Sequence, residues 1–338
     1  MKKNLFLISV VALALGACSN DSTIEQNTAT ELQPKEIALS PLTQNMTRAA
    51  VDGTTFTPNT MVVTAYDVSN TREFFAPTTF TKASTTWKGG KYWPLSETYI
   101  NFWAYSELQA SATPTLTWDA TATTATWALV MTDNKSTQKD LMYAIGNGAV
   151  TQTGNALSFN SGNAVDMTFK HAQAWVRFMV DAYDATTGGK ITLNSIRLNG
   201  AKYNGTYTIT FTNFNDDESQ SVAGAWSSLG SPADVEVPNW TPATVAYDDE
   251  GDGVYVGDGL LIVPDDNAAT ADFTSFTIAY TLDSKDYEFT YEPATDALKN
   301  VDQAKKYTFK INFHLHEIEI APDVTDWVEG GPTSVPIY

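Results

Sequence analysis

The acidic stretch YDDEGDGVYVGDG, residues 247–259, offers several carboxylates at alternate positions, the arrangement a calcium loop uses. Laid on the EF-hand template, Asp248, Glu250 and Asp252 take the first, third and fifth positions and Gly253 the sixth. The twelfth position, which needs a bidentate Glu, is Gly259, and no flanking helical pattern accompanies it, so an EF-hand is excluded. A loop calcium site through Asp248, Glu250 and Asp252 stands beside the plainer reading of a solvated acidic loop. His314 and His316 share one strand face at a spacing two metal ligands can use. His171 is the only other histidine, and no third ligand is marked. The chain contains neither a Gly-x-Ser-x-Gly elbow nor a His-Glu-x-x-His pair. With no cysteine after Cys18, a thiol nucleophile in the folded part is excluded as well. The sequence makes no case for an enzyme and calls for no cofactor.

Aromatic residues crowd into WKGGKYWPLSETYINFWAY, residues 87–105. Trp and Tyr have flat apolar faces with a polar edge, so Trp87, Trp93 and Trp103 could form a platform for a glycan. Strand alternation puts Phe102 opposite Trp103, so at least part of the cluster must face a core.

Cys18 is the one cysteine of the 338 residues, and its surroundings are specific. Lys2 and Lys3 precede an apolar run, Leu5–Leu15, and Leu15-Gly16-Ala17 leads directly into the cysteine. The run is too short to span a bilayer and resembles the core of a secretory signal. Small residues before a cysteine resemble a bacterial lipobox, in which residues 1–17 are removed and Cys18 carries the lipid. Membrane attachment is then expected through that lipid alone. The net charge of −19 argues against nucleic acid or an anionic bilayer as a ligand, since both require a basic surface.

The elements that would position these residues are strands. Residues 19–48 are polar and read as a tether, apart from EIALSPL, where Ile37, Leu39 and Leu42 suit a short extended segment. From Val51 onward, brief apolar runs are separated by Gly, Asn, Asp and Pro. In KYTFKINFHLHEIEI, Tyr307, Phe309, Ile311, Phe313 and Leu315 fall on one face and Lys306, Thr308, Lys310, Asn312 and His314 on the other. Many such segments at close spacing predict an all-β sandwich architecture. The Gly/Thr stretch DATTGGK, residues 184–190, is the expected boundary between two domains, 49–187 and 188–338.

Taken in order, these stretches resemble the fimbrillin family, subunits of the type V pili of Bacteroidales. Four features carry the likeness. The lipobox precedes a polar segment and Thr47-Arg48-Ala49; WKGGKYWP precedes the apolar strand Tyr99–Tyr105; FKHAQAWVRFMV is followed by ITLNSIRLNGAKYNGTYT; and KYTFKINF leads to the Asp326-Trp327 ending. The resemblance implies two tandem transthyretin-like Greek-key β-sandwich domains after a lipoprotein signal and tether. It implies an outer-membrane lipoprotein precursor that becomes part of a cell-surface fimbrium. On this pattern an arginine-specific protease cuts between Arg48 and Ala49, releasing residues 18–48 with the first strand, for which Ile37, Leu39 and Leu42 are the candidate residues. The vacated groove then accepts a strand from another pilus subunit, and Val335, Ile337 and Tyr338 are the candidate donor tail. Pro336 lacks an amide and the tail is short, which leaves stalk, tip and accessory positions open. Adhesion to a host or bacterial surface receptor is the expected role. A surface glycan-binding lipoprotein that does not polymerise, using the tryptophan cluster, is the alternative.

Overall fold

The computed structural model describes residues 34–43, 58–106, 114–132, 134–154, 156–216, 220–248, 253–265, 271–293, 299–314 and 317–326. The strands of the first half are β1 (Glu36–Thr43), β2 (Thr60–Asp67), β3 (Arg72–Ala83), β4 (Thr86–Tyr92) and β5 (Thr98–Ser106). They continue with β6 (Thr115–Asp119), β7 (Thr124–Met131), β8 (Met142–Thr153), β9 (Ala156–Phe159) and β10 (Val165–His171). The second half opens with β11 (Ala174–Ala182), β12 (Ile191–Ala201), β13 (Gly205–Thr212), β14 (Ser221–Ser227), β15 (Ala233–Glu236) and β16 (Ala243–Thr244). It closes with β17 (Val254–Tyr255), β18 (Leu260–Ile262), β19 (Ser275–Leu282), β20 (Lys285–Tyr291), β21 (Lys305–Phe313) and β22 (Ile318–Asp326). The fold is all-β, as the alternation predicts. In β13 each of Tyr207, Ile209 and Phe211 is buried while the intervening threonines are half-exposed, the burial that a period of two imposes.

The first sheet runs β10-β1-β4-β3-β2-β5-β8-β9, and β10 also pairs with β8. That extra pairing closes seven of the strands into a ring, with β9 outside it. Met61, Phe80, Trp87, Trp93, Phe102 and Phe169 are among the side chains filling the interior. Two glycines permit the closure. A Cβ at Gly146 would fall on the Asp166 carbonyl and lie 2.5 Å from Met167 Sδ, and one at Gly148 would lie 2.5 Å from the Trp93 ring.

A four-stranded sheet, β14-β13-β7-β6, covers the outer face of β2 and β5. Trp103 stacks on Phe211 with centroids 4.5 Å apart, and Tyr105 meets Trp127 edge-on at 4.7 Å. β5 is therefore buried on both faces, which explains why the apolar residues from Phe102 to Tyr105 are not interrupted by polar ones.

The remaining strands form a second sandwich. One sheet runs β17-β11-β21-β22 and the other β15-β12-β19-β20, with β18 and β16 attached to β11 and β12. Phe178, Phe276 and Phe309 meet between them, with Phe276 5.0 Å from Phe178 and 5.1 Å from Phe309. The expected boundary at 184–190 is, in the structure, the turn between β11 and β12, and both strands line this one core. Asp184 builds the turn, its carboxylate accepting from the Thr186 and Thr187 amides at 3.0 and 2.8 Å. The chain leaves the ring between His171 and Ala174, and the β13–β14 hairpin returns to complete the sheet over β5. Glycine and threonine mark a turn equally well inside a domain and between two, so local composition could not separate these cases.

Candidate interaction groove

β1 is an interior strand of the ring although it is the first of the described strands. It pairs in parallel with β10, from Leu39 opposite Val165 to Thr43 opposite Phe169. On its other side it runs antiparallel to β4, with Glu36 opposite Tyr92 and Leu39 opposite Trp87. Ile37 and Leu39 are fully buried in the ring core, where each contributes about 1.5–3 kcal/mol. Leu42 stands opposite Thr168 in the same register.

Polar ties hold the outer end of the strand. The Trp93 amide donates to the Lys35 carbonyl at 2.9 Å, and Lys35 Nζ donates to the Gly162 carbonyl at 3.1 Å. Glu36 accepts from the Gly90 amide at 3.2 Å and pairs with Lys88 at 3.1 Å. The ion pair is solvent-exposed and worth at most about 1 kcal/mol. The strand is thus held mainly by two buried side chains and its backbone ladder.

β10 keeps β8 as a partner only from Thr168 to His171, so Val165, Asp166 and Met167 depend on β1 for their pairing. Without β1, the ring would open between β10 and β4 and expose two strand edges and the sites of Ile37 and Leu39. Alternation in EIALSPL marked these residues in the sequence. Nothing local identified β10, whose parallel pairing spans more than a hundred residues of chain. The near signal was YAIGNGAV, whose glycines two apart sit on one strand face where another element approaches closely.

The other expected site residues fall as follows. Cys18, Arg48, Ala49, Glu250, Asp252, His316, Val335, Ile337 and Tyr338 lie outside the described residues. Trp87 and Trp93 are buried in the ring and Trp103 between the ring and the second sheet, with exposures of 3%, 3% and 0%. That corrects the expectation of a glycan platform at these three: each indole face is covered by protein, and a sugar cannot reach it. Trp87 Nε1 is also committed, donating to the Pro58 carbonyl at 3.1 Å.

Asp248 is held by its own amide, which donates to Asp181 Oδ1 at 3.0 Å. Among the described residues no group of three His, Cys, Asp or Glu side chains could hold a metal ion. His314 stacks on Tyr183 at 3.9 Å, and His171 Nδ1 lies 2.8 Å from Asp140 in a buried pair. The two described histidines thus have separate surroundings.

The model of the fimbrillin-like family matches residues 47–327. Among solved structures, a candidate cell adhesion protein from Bacteroides uniformis is 14% identical, with 86% of this chain and 98% of that one covered at a TM-score of 0.50. A candidate cell adhesion protein from Bacteroides ovatus is 12% identical, covering 88% and 100% at 0.49. The tip fimbrial protein Mfa3 from Porphyromonas gingivalis, with a C-terminal truncation, is 11% identical, covering 87% and 100% at 0.43. No curated protein matches the sequence.

Proposed function

We propose that this chain, which belongs to the fimbrillin-like family, is a subunit or accessory adhesin of a surface pilus and assembles by exchanging β1 for a strand of another subunit. Its work is then binding and assembly rather than catalysis. The observation that carries the reading is the position of β1, an interior strand joined onward to β2 only through residues 44–59. Arg48 and Ala49 lie within that connection. A cut there would leave β1 in place by non-covalent contacts alone, and an incoming strand could then displace it. Repeated head-to-tail, such contacts do not close and would extend into a fibre.

The tail Val335–Tyr338 suits the donor role better in the light of β1. Its Pro336 is no obstacle in principle, because the native occupant carries Pro41 opposite Met167 in the parallel ladder. Val335 and Ile337 repeat the two-residue spacing of Ile37 and Leu39. Drawing Asp323–Asp326 into the donor as well would strip them from β21, where they pair with Thr308 down to Lys305. β22 is an edge strand, so this would cost one ladder and leave the rest of its sheet paired.

Export as a lipoprotein through Cys18, and release by an arginine-specific protease, complete the proposed route to the fimbrium. A glycan-binding lipoprotein acting through Trp87, Trp93 and Trp103 loses its surface to burial. The experiment is N-terminal sequencing of surface-shed protein with gel analysis of its oligomers. A start at Ala49 accompanied by a ladder is expected. A lipidated Cys18 start in monomers only would overturn the reading.

A further inference from the structure

Among the described residues, the second sandwich is open along one side. The inner face of β19 and β20 extends beyond the cover of β21 and β22, leaving a cavity of about 750 Å³. Tyr280 and Tyr287 stand opposite each other on the paired strands, their rings 5.5 Å apart and 18° from parallel. Phe289 follows on the same face of β20, and Tyr287 and Phe289 are 42% and 36% exposed. Large aromatic side chains on a sheet's inner face are ordinarily covered, so this shelf is unusual in lying open. Lys190, Asp283 and Glu317 line the same cavity.

We propose that this cavity binds a short neutral saccharide. The aromatic shelf offers flat apolar surface to the C–H face of a sugar ring, and each tyrosine adds a hydroxyl able to donate or accept. The other lining groups include an ammonium donor and carboxylate acceptors, matching hydroxyls that both accept and donate. Charges of both signs give no net attraction for a strongly acidic ligand, and the molecule's charge of −19 opposes one. A polypeptide strand is the weaker fit. Edge strand β20 carries exposed Lys285, Asp286 and Glu288, side chains that discourage another strand from adding there. The cavity has the volume of small-ligand sites. It gives the adhesive role a ligand class, and it rests on that reading for its biological setting but not for its chemistry.

The test is saturation-transfer NMR on the purified chain. The probes are the methyl glycosides of glucose, galactose, mannose and N-acetylglucosamine with their disaccharides, each at about 10 mM. At least one is expected to receive saturation on its ring protons with millimolar affinity. The variant Tyr287→Ala/Phe289→Ala should weaken that binding at least about tenfold. Both side chains are partly exposed, so its thermal unfolding should stay close to that of the parent, which excludes misfolding as the cause. No binding by any probe, or unchanged binding in the double variant, would overturn the proposal. Fibre assembly is scored separately. Sugar binding by a chain that never polymerises would sink the pilus reading and leave this site standing.

Discussion

Leu39 and Val165 stand opposite each other in a parallel strand pair, both fully buried in the ring core, though they lie 126 positions apart in the chain. This pairing makes the first described strand an interior one, and it ties removal of β1 directly to the integrity of the ring.

Leu39→Ala should destabilise the uncut protein by about 2–5 kcal/mol, because it empties a packed site in the ring. Urea unfolding of precursor and assembled forms checks this. The penalty should be present in the precursor and absent from fibres in which another strand fills the groove.

Arg48→Ala should abolish maturation at this position while leaving the fold unchanged, since the ring retains β1. Lipidated monomers are the expected product on gels and by N-terminal sequencing. Fibres at parental yield would contradict the proposed release step.

Gly146→Ala should cost about 1–3 kcal/mol by overpacking. The added methyl meets the Asp166 backbone carbonyl, which is not free to swing aside as a side-chain tip would be. Hydrogen exchange should show earlier opening at β10, whose Thr168–His171 stretch pairs with β8.

Burial pushes Asp272 up to about 6, against the Val301 and Asp265 amides and the Lys202 charge, which pull it down. Between about pH 4 and 6 the folded protein holds a proton that the unfolded chain has released. This contribution to stability is therefore full below about pH 4, falls as pH rises, and is lost above about 6. Asp184 acts in a lower window. Hydrogen bonds from Thr186 and Thr187 hold its carboxyl down to about 2, so its contribution is lost only under stronger acid. Urea midpoints measured from pH 4 to 7 should show the Asp272 slope, and Asp272→Asn should flatten it. The variant should also be less stable throughout, because its amide nitrogen would confront one of the two backbone donors.

Much of the strand content was legible. KYTFKINF alternates in the sequence and forms β21, with Tyr307, Phe309, Ile311 and Phe313 buried. GTYTITFT does the same as β13. EIALSPL also announced an extended segment, and Ile37 and Leu39 are inward-facing in β1. The tryptophan cluster was legible only as a mixture. Phe102 and Trp103 do face opposite ways, but both sides proved to be cores, because a second sheet covers the outer face of β5.

Alternation of residue type, by itself, determined that this chain forms strands and which side chains share a face. It did so because the pleat repeats every two residues wherever a strand lies. Only the tertiary structure decided the partners. It set β1 between β4 and β10, placed β11 beside β21, and carried β13 and β14 back to β7. Each of these choices joins residues far apart in the chain, and each depends on how two surfaces fit once brought together. A strand's own sequence states which face is apolar, but not which other apolar face will cover it.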